Sequence, residues 1–212
     1  MERNDEMKLF YCDTLMPRKV CAAALYLKAP VDFIYVDLEK GEHVLPAYLT
    51  LNPNAKVPVL TRGDKVVWES DAILYELALA TGSELLPDSR EKQVELVRWF
   101  SWNSQHFTRA GGSLYFEYVV RPRFGLGDVD QSAVAEAQRD FRKYARVLND
   151  HLDGRRWLLG DRPSLADFSV GIALPYAKEA HLPLEEFPHM RRWHGRLEEL
   201  DGWNAPWPAR LN

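Results

Sequence analysis

Tyr11, Cys12, Thr14 and Arg18 crowd one short stretch, YCDTLMPRKV, at a point where a strand pattern gives way to a helix pattern. A hydroxyl or thiol at such a junction sits near the positive end of a helix dipole, where an anionic atom is favoured. A second group, Glu69, Ser70 and Asp71, precedes another helix pattern in VVWESDAILYELA. Free helix-start amides with a Ser hydroxyl bind a carboxylate, while Glu69 can accept from an ammonium, so this end suits an amino acid. Between the two groups Pro58 interrupts a strand pattern in KVPVL. Either this is an edge strand, or the Val57–Pro58 bond is cis and turns the Val57 backbone outward to pair with an extended peptide ligand. A further cluster, SLADF, has the spacing of a capping box: Ser164 caps the N3 amide and Asp167 reaches back, a folding role.

Composition removes several classes of function. The 212 residues are 46% apolar and 27% charged with a net charge of −4, and the charges form no long block. Neither a nucleic-acid surface nor a membrane-surface patch is expected. No apolar run approaches the ~18 to 20 residues of a membrane span, and the start, MERNDEMKLF, is charged where a secretory signal carries its apolar segment. A cytoplasmic protein is the expectation. Two cysteines, Cys12 and Cys21, make no disulfide framework, and six scattered histidines form no zinc pattern, so no metal is expected. GLGDVD lacks the third glycine and the preceding strand of a dinucleotide fingerprint.

The elements that must position these groups are legible from period and punctuation. Met7 to Cys12 reads as a strand, Pro17 to Lys28 as a helix and Val31 to Leu38 as a second strand, giving βαβ with parallel strands. After a weak helical pattern (Glu42 to Leu51) and the turn NPNAK come Val57 to Leu60 and Val66 to Trp68, an antiparallel hairpin across RGDK. A helix follows, capped by Ser70 or Asp71. Beyond Ser83 to Glu91 strand signals cease, and helices are expected over Arg90 to Tyr118, Asp130 to Leu152, Ser164 to Tyr176 and Pro188 to Leu200. Val134, Ala137, Phe141, Ala145, Leu148 and Leu152 trace one face of the second. The fold class is thus an α/β domain (βαβ-ββα), residues 1–84, followed by an all-α domain, residues 91–212.

NPNAKVPVL with VVWESDAILYELA resembles the glutathione-binding half of the cytosolic glutathione S-transferases, and WLLGDRPSLADFSV is similar to that family's helix-start motif in the second domain. LEKGEH and YFEYVVRPRFGLG lean toward serine-type, phi-like members, bacterial or plant-like. The resemblance implies a thioredoxin-like first domain and a homodimeric detoxification enzyme that uses glutathione as co-substrate. It further implies that Val57, beside Pro58, pairs its backbone with the cysteinyl part, that Glu69 and Ser70 hold the γ-glutamyl end, and that His43 and Lys56 contact the glycine end. Such members often have Lys after that His; here Val44 stands there. An acceptor pocket for a hydrophobic electrophile is expected against Leu15 and Met16. Phe107, Gly111, Tyr115 and Tyr118 share a helix face, either core or, with Phe107, Tyr115 and Tyr118, part of that pocket.

Glutathione transfer needs a thiolate, and a free thiol near pKa ~8.5 is only a few per cent ionised at neutral pH. Lowering the pKa by about two units takes roughly 2.7 kcal/mol. One hydrogen bond to the charged sulfur supplies about 1.5–3 kcal/mol and a helix N-terminus ~0.3–1. In serine-type members the hydroxyl lies six residues before a helix valine; counting back from Val20 reaches Thr14. Thr14 is therefore the expected activator, with Cys12, Tyr11 or backbone amides alone as alternatives. Cysteine-type members show patterns this sequence lacks. Arg18 reads as a solvated helix residue able to raise the local potential. Conjugation of an electrophile is the first functional reading. A glutathione-dependent peroxidase or isomerase, or a non-catalytic ligand-binding or interaction protein of the same fold, are the alternatives.

Overall fold

The computed structural model describes residues 6–208, so the charged start and the domain limits at 1 and 212 lie outside the described residues. These residues form two compact units, 6–83 with 200–208, and 84–199. The tail, expected in the helical domain, therefore belongs with the first unit.

In the first unit β1 (Met7–Tyr11) leads into α1 (Leu15–Tyr26) and β2 (Val31–Tyr35). A single helical turn follows at Glu42–Val44, then α2 (Pro46–Leu49), β3 (Val59–Arg62), β4 (Lys65–Trp68) and α3 (Ser70–Thr81). The sheet order is β2-β1-β3-β4, with β1 and β2 parallel and the other pairs antiparallel. This is the βαβ-ββα arrangement. Alternate residues of β1 are fully buried, Met7, Leu9 and Tyr11 on one side, and together with Val20, Leu60, Ile73, Leu74 and Leu77 they belong to the unit's core. Phe10, on the other side of β1, meets Tyr48 of α2 edge-on at 6.2 Å. Val36, Tyr48 and Val59 form a smaller cluster there.

Two boundaries differ from the sequence reading in ways that matter to the site. α1 begins at Leu15 rather than Pro17, because the first-turn amides need no partner within the helix and Pro17 is tolerated inside that turn. β3 begins at Val59 rather than Val57, since Pro58 has no N–H to give to a ladder.

In the second unit the long helix expected over Arg90 to Tyr118 is α4 (Arg90–Trp102) and α5 (Thr108–Tyr115), joined by a wider π turn at Asn103–Phe107 and followed by another at Phe116–Val120. The Thr108 amide bonds the Asn103 carbonyl five residues back, and the Thr108 hydroxyl donates to Asn103 Oδ1 at 2.7 Å across the same turn. Asn103 Nδ2 in turn donates to Ser169 O and Oγ, so the irregular turn is internally satisfied. After the short α6 (Arg121–Arg123) comes α7 (Gln131–His151), whose stripe from Val134 to Leu148, continued by Leu152, is buried as the spacing predicts. The Asp130 side chain caps it, accepting from Ser132 N and Ala133 N. α8 (Leu165–Val170), a 3-10 segment at Gly171–Tyr176 and α9 (Pro188–Glu198) complete the unit. The capping box at α8 is formed. Asp167, with no exposed surface, accepts from Ser164 N, Ser164 Oγ, Leu158 N and Trp193 Nε1.

Candidate functional site

Sheet register assembles the site of the first unit. Tyr11 ends β1 opposite Tyr35, Phe10 pairs with Val59, and Val59 pairs with Trp68. The segments running off that one end of the sheet are therefore Cys12–Thr14, Val57–Pro58 and Glu69–Ser70, which lie apart in sequence. The turn carrying His43 also follows the same end of β2.

Thr14 is the N-cap residue of α1, with extended backbone (φ −129°, ψ 174°). Its carbonyl accepts from Arg18 N at 3.2 Å and its amide donates to Cys12 O at 2.8 Å. Its side chain makes no cap bond, so the hydroxyl remains available at the helix start. Cys12 lies beyond the strand rather than in it, has no exposed surface, and its thiol reaches Asp13 Oδ1 at 3.3 Å and the Tyr35 hydroxyl at 3.6 Å. Tyr11 is buried between aromatic neighbours, edge-on to Phe33 and Tyr35 and stacked on Trp207 at 6.1 Å. Burial pushes the Cys21 thiol up, away from the thiolate form. Arg18 is buried at 4% exposure, correcting its reading as a solvated residue.

The Val57–Pro58 bond is cis, the second of the two readings of Pro58. Val57 stands outside the β3 ladder, partly exposed, and no other described residue pairs with its amide or carbonyl. The preceding Lys56 is exposed at its side chain, but its carbonyl is held from two sides, by the Tyr48 hydroxyl and Asn52 Nδ2, both at 2.8 Å. Asn52 Oδ1 also accepts from Asn54 N at 3.0 Å, closing the turn. Tyr48 and Asn52 are positioning residues that the sequence reading missed. The Asn of NPNAK was the available signal, because Asn side chains bond their own backbone two residues on.

α3 begins at Ser70 itself, so its N-cap is Glu69 and the expected side-chain cap by Ser70 or Asp71 is not formed. Glu69 has a left-handed backbone (φ 71°, ψ 118°), an uncommon conformation for a non-glycine residue, and its side chain is exposed. Ser70 is 8% exposed, and its hydroxyl points to Met16 Sδ at 3.9 Å, a weak partner. Asp71 pairs with the buried Lys19 ammonium at 2.6 Å, tying the start of α3 to α1. Nothing in the spacing of Lys19 and Asp71 announced this ion pair. His43 is partly buried in its turn, with Nδ1 lacking a partner among the described residues.

The residues expected at the acceptor pocket have separate fates. Leu15 is 6% exposed and Met16 is partly exposed at the start of α1. Phe107 has no exposed surface and stacks with Trp102 at 5.6 Å and Phe141 at 5.1 Å. Tyr115, 5% exposed, leans on Tyr176 at 4.7 Å, and a Cβ at Gly111 would come within 3.1 Å of Ala173 Cβ. Phe107 and Tyr115 thus serve the core of the helical unit, a correction to their place in the pocket. The physical reason is helix packing: the small Gly111 brings α5 close to the 3-10 segment and closes that face. Tyr118, within the second π turn, is partly exposed and meets His181 at 4.4 Å.

Among the described residues no helix is long and apolar enough to cross a membrane, and no cluster of three or more His, Cys, Asp or Glu is arranged to hold a metal ion.

Comparison with known proteins gives the family. Residues 6–78 match the family model described as glutathione S-transferase, N-terminal domain, and residues 131–196 the one described as glutathione S-transferase, C-terminal domain. Glutathione S-transferase hmp2 of Hypomyces subiculosus is 30% identical over 202 residues, covering 91% of this chain and 94% of that protein. Glutathione S-transferase 3 of Zea mays is 32% identical over 188 residues, covering 84% and 83%. A solved glutathione S-transferase-I bound with lactoylglutathione superposes with a TM-score of 0.82 at 26% identity, over 92% of this chain and 94% of that one. Matched over nearly its whole length by relatives at this identity, the chain belongs to the glutathione S-transferase family.

Proposed function

We propose that this member of the family transfers glutathione to a hydrophobic electrophile, with the Thr14 hydroxyl as the thiol activator. The observation that carries the reading is a hydroxyl with no cap bond at the start of a 12-residue helix. The glutathione S–H proton passes to solvent water, and Thr14 donates its O–H to the sulfur and stabilises the thiolate that remains. The sulfur lone pair then attacks the electrophilic carbon, a C–S bond forms, and the leaving group departs with the bonding electrons, or in an addition the product takes up a proton. Val57 offers its amide and carbonyl to the cysteinyl backbone beside Pro58. The α3 N-terminus with Ser70 takes the γ-glutamyl carboxylate, and Glu69 its ammonium. Lys56 and His43 take the glycine carboxylate. Met16, beside the nearly buried Leu15, provides apolar contact for the acceptor.

Cys12 is disfavoured as nucleophile or activator because it is fully buried and engaged with Asp13 and Tyr35. A cytoplasmic homodimer accompanies the reading. The dimer has the exposed valines of α4 in its favour, Val94 at 66% and Val97 at 56%, which suit contact with a second copy.

Thr14→Ala tests the assignment. Loss of one hydrogen bond to a charged sulfur, about 1.5–3 kcal/mol, raises the pKa of bound glutathione by roughly one to two units and lowers kcat/KM at neutral pH about 10- to 100-fold. Thiolate absorbance against pH and conjugation of an aromatic halide read both. An unchanged titration and unchanged turnover sink the role of Thr14, and failure to bind glutathione sinks the function.

A further inference from the structure

The C-terminal segment grips the β1–α1 junction from both sides of Thr14. On the α1 side, Arg18, one helical turn after Thr14 and bonded through its amide to the Thr14 carbonyl, sends Nη2 to the carbonyl of Trp203, 185 positions away, at 2.5 Å. The Arg18 guanidinium also lies 5.0 Å from the centre of the fully buried Trp203 ring. On the β1 side, Trp207 stacks on Tyr11 at an interplanar angle of 15°. Just before Trp203, Gly202 (φ +76°) presses on the later turns of α1 so closely that a Cβ would stand 2.7 Å from Leu25 Cβ and 3.0 Å from Ala22 O. A buried guanidinium is costly to desolvate, and the carbonyl and ring of Trp203 offset part of that cost.

We propose that Arg18, anchored by Trp203 and the C-terminal segment, is a positioning residue that holds Thr14 in the geometry required to donate to the glutathione sulfur. The proposal rests on the reading of Thr14 as activator. Arg18 acts through its own helix turn: its side chain fixes where that turn lies, and its amide fixes the Thr14 carbonyl and hence the cap geometry. The tail is thereby part of the catalytic apparatus although it contributes no group to the substrate. A displacement of a fraction of an ångström at a catalytic hydrogen bond costs on the order of tenfold in rate.

The test is a cycle of Thr14→Ala, Arg18→Met and the double variant in the full chain, read by the pH titration of bound glutathione and by kcat and KM separately. Arg18→Met is expected to raise the midpoint of the titration by about one unit and to lower kcat at neutral pH about tenfold, with KM for glutathione within about threefold. Arg18→Lys, which keeps a donor and the charge, recovers part of the loss. In the Thr14→Ala background Arg18→Met changes neither midpoint nor kcat further. If Arg18→Met does not yield folded protein, Gly202→Ala, which keeps Arg18 and Trp203 but lifts the segment from α1, gives the same pair of shifts. A Thr14→Ala effect accompanied by no effect of the Arg18 or Gly202 variant, or by effects that add in the double variant, overturns the positioning role alone. A Thr14→Ala protein with an unshifted thiol removes the activator, and the positioning proposal falls with it.

Discussion

Threonine at position 14 carries two substituents on Cβ, which restricts the χ1 angles from which its oxygen can reach a sulfur. An off-rotamer approach costs about 0.5–1.5 kcal/mol, so Thr14→Ser is expected to raise kcat about 2- to 10-fold, measured under the conditions used for Thr14→Ala. The residue type and its distance from Val20 were readable in the chain, and so was the choice among Tyr11, Cys12 and Thr14 as a set. Burial then sets Tyr11 and Cys12 apart from the partly exposed Thr14. Tyr11 is taken up by three aromatic rings, and Cys12 by its chain neighbour Asp13 and by Tyr35 of the adjacent strand. Arg18 was read as solvated because its partner is a backbone carbonyl, which has no sequence signature, in a segment far along the chain.

Among the elements, the two π turns and the caps of the second unit carry the sharpest consequences. Asp167 gathers four donors onto one carboxyl with no exposed surface. Burial pushes its pKa up while those hydrogen bonds pull it down. Asp167→Ala strands Trp193 Nε1 and two backbone amides and is expected to destabilise the chain by about 3–5 kcal/mol in urea unfolding, with no shift in the thiol titration of the folded protein. At the second π turn Glu117 holds Arg121 bidentately, Oε2 to Nε at 2.7 Å and Oε1 to Nη2 at 2.9 Å, and also accepts from Asp130 N at the cap of α7. The Arg121 hydrogen bonds, above all, keep the Glu117 carboxyl below its ordinary value of 4.5. A carboxyl lowered in the folded state contributes stability that is complete above 4.5 and is lost as the pH falls from there through the lowered folded value. Glu117→Gln is therefore expected to flatten the acid limb of the urea midpoint plotted against pH; an identical limb in the variant would refute the assignment. Helix positions were legible here from the period of the apolar residues. The π turns were not, because one extra residue per turn leaves a pattern still compatible with an α-helix over so short a span.

For the whole molecule, the proposed homodimer is the prediction with the widest reach. Val147, 50% exposed on α7, lines with Arg98, Trp99, Trp102 and His151 a cavity of about 170 Å³ beside α4, the helix that carries Val94 and Val97. A charge at Val97 desolvated against a second copy costs several kcal/mol without a partner, so Val97→Asp is expected to convert a dimeric mass in light scattering to a monomeric one. A wild-type chain that is already monomeric at micromolar concentration would remove the dimer. The sequence alone determined the class of the fold, because periods of two and of 3.6 residues, Pro58, and the Ser164/Asp167 box are local signals that the chain carries wherever it folds. It also nominated the residue types around Thr14, Val57 and Ser70. Only the tertiary structure decided which of those types are available. Burial of Cys12, Phe107 and Tyr115, the Lys19–Asp71 pair and the grip of Trp203 on Arg18 all arise between segments distant in sequence. Such contacts depend on strand register and helix packing, which no local pattern encodes.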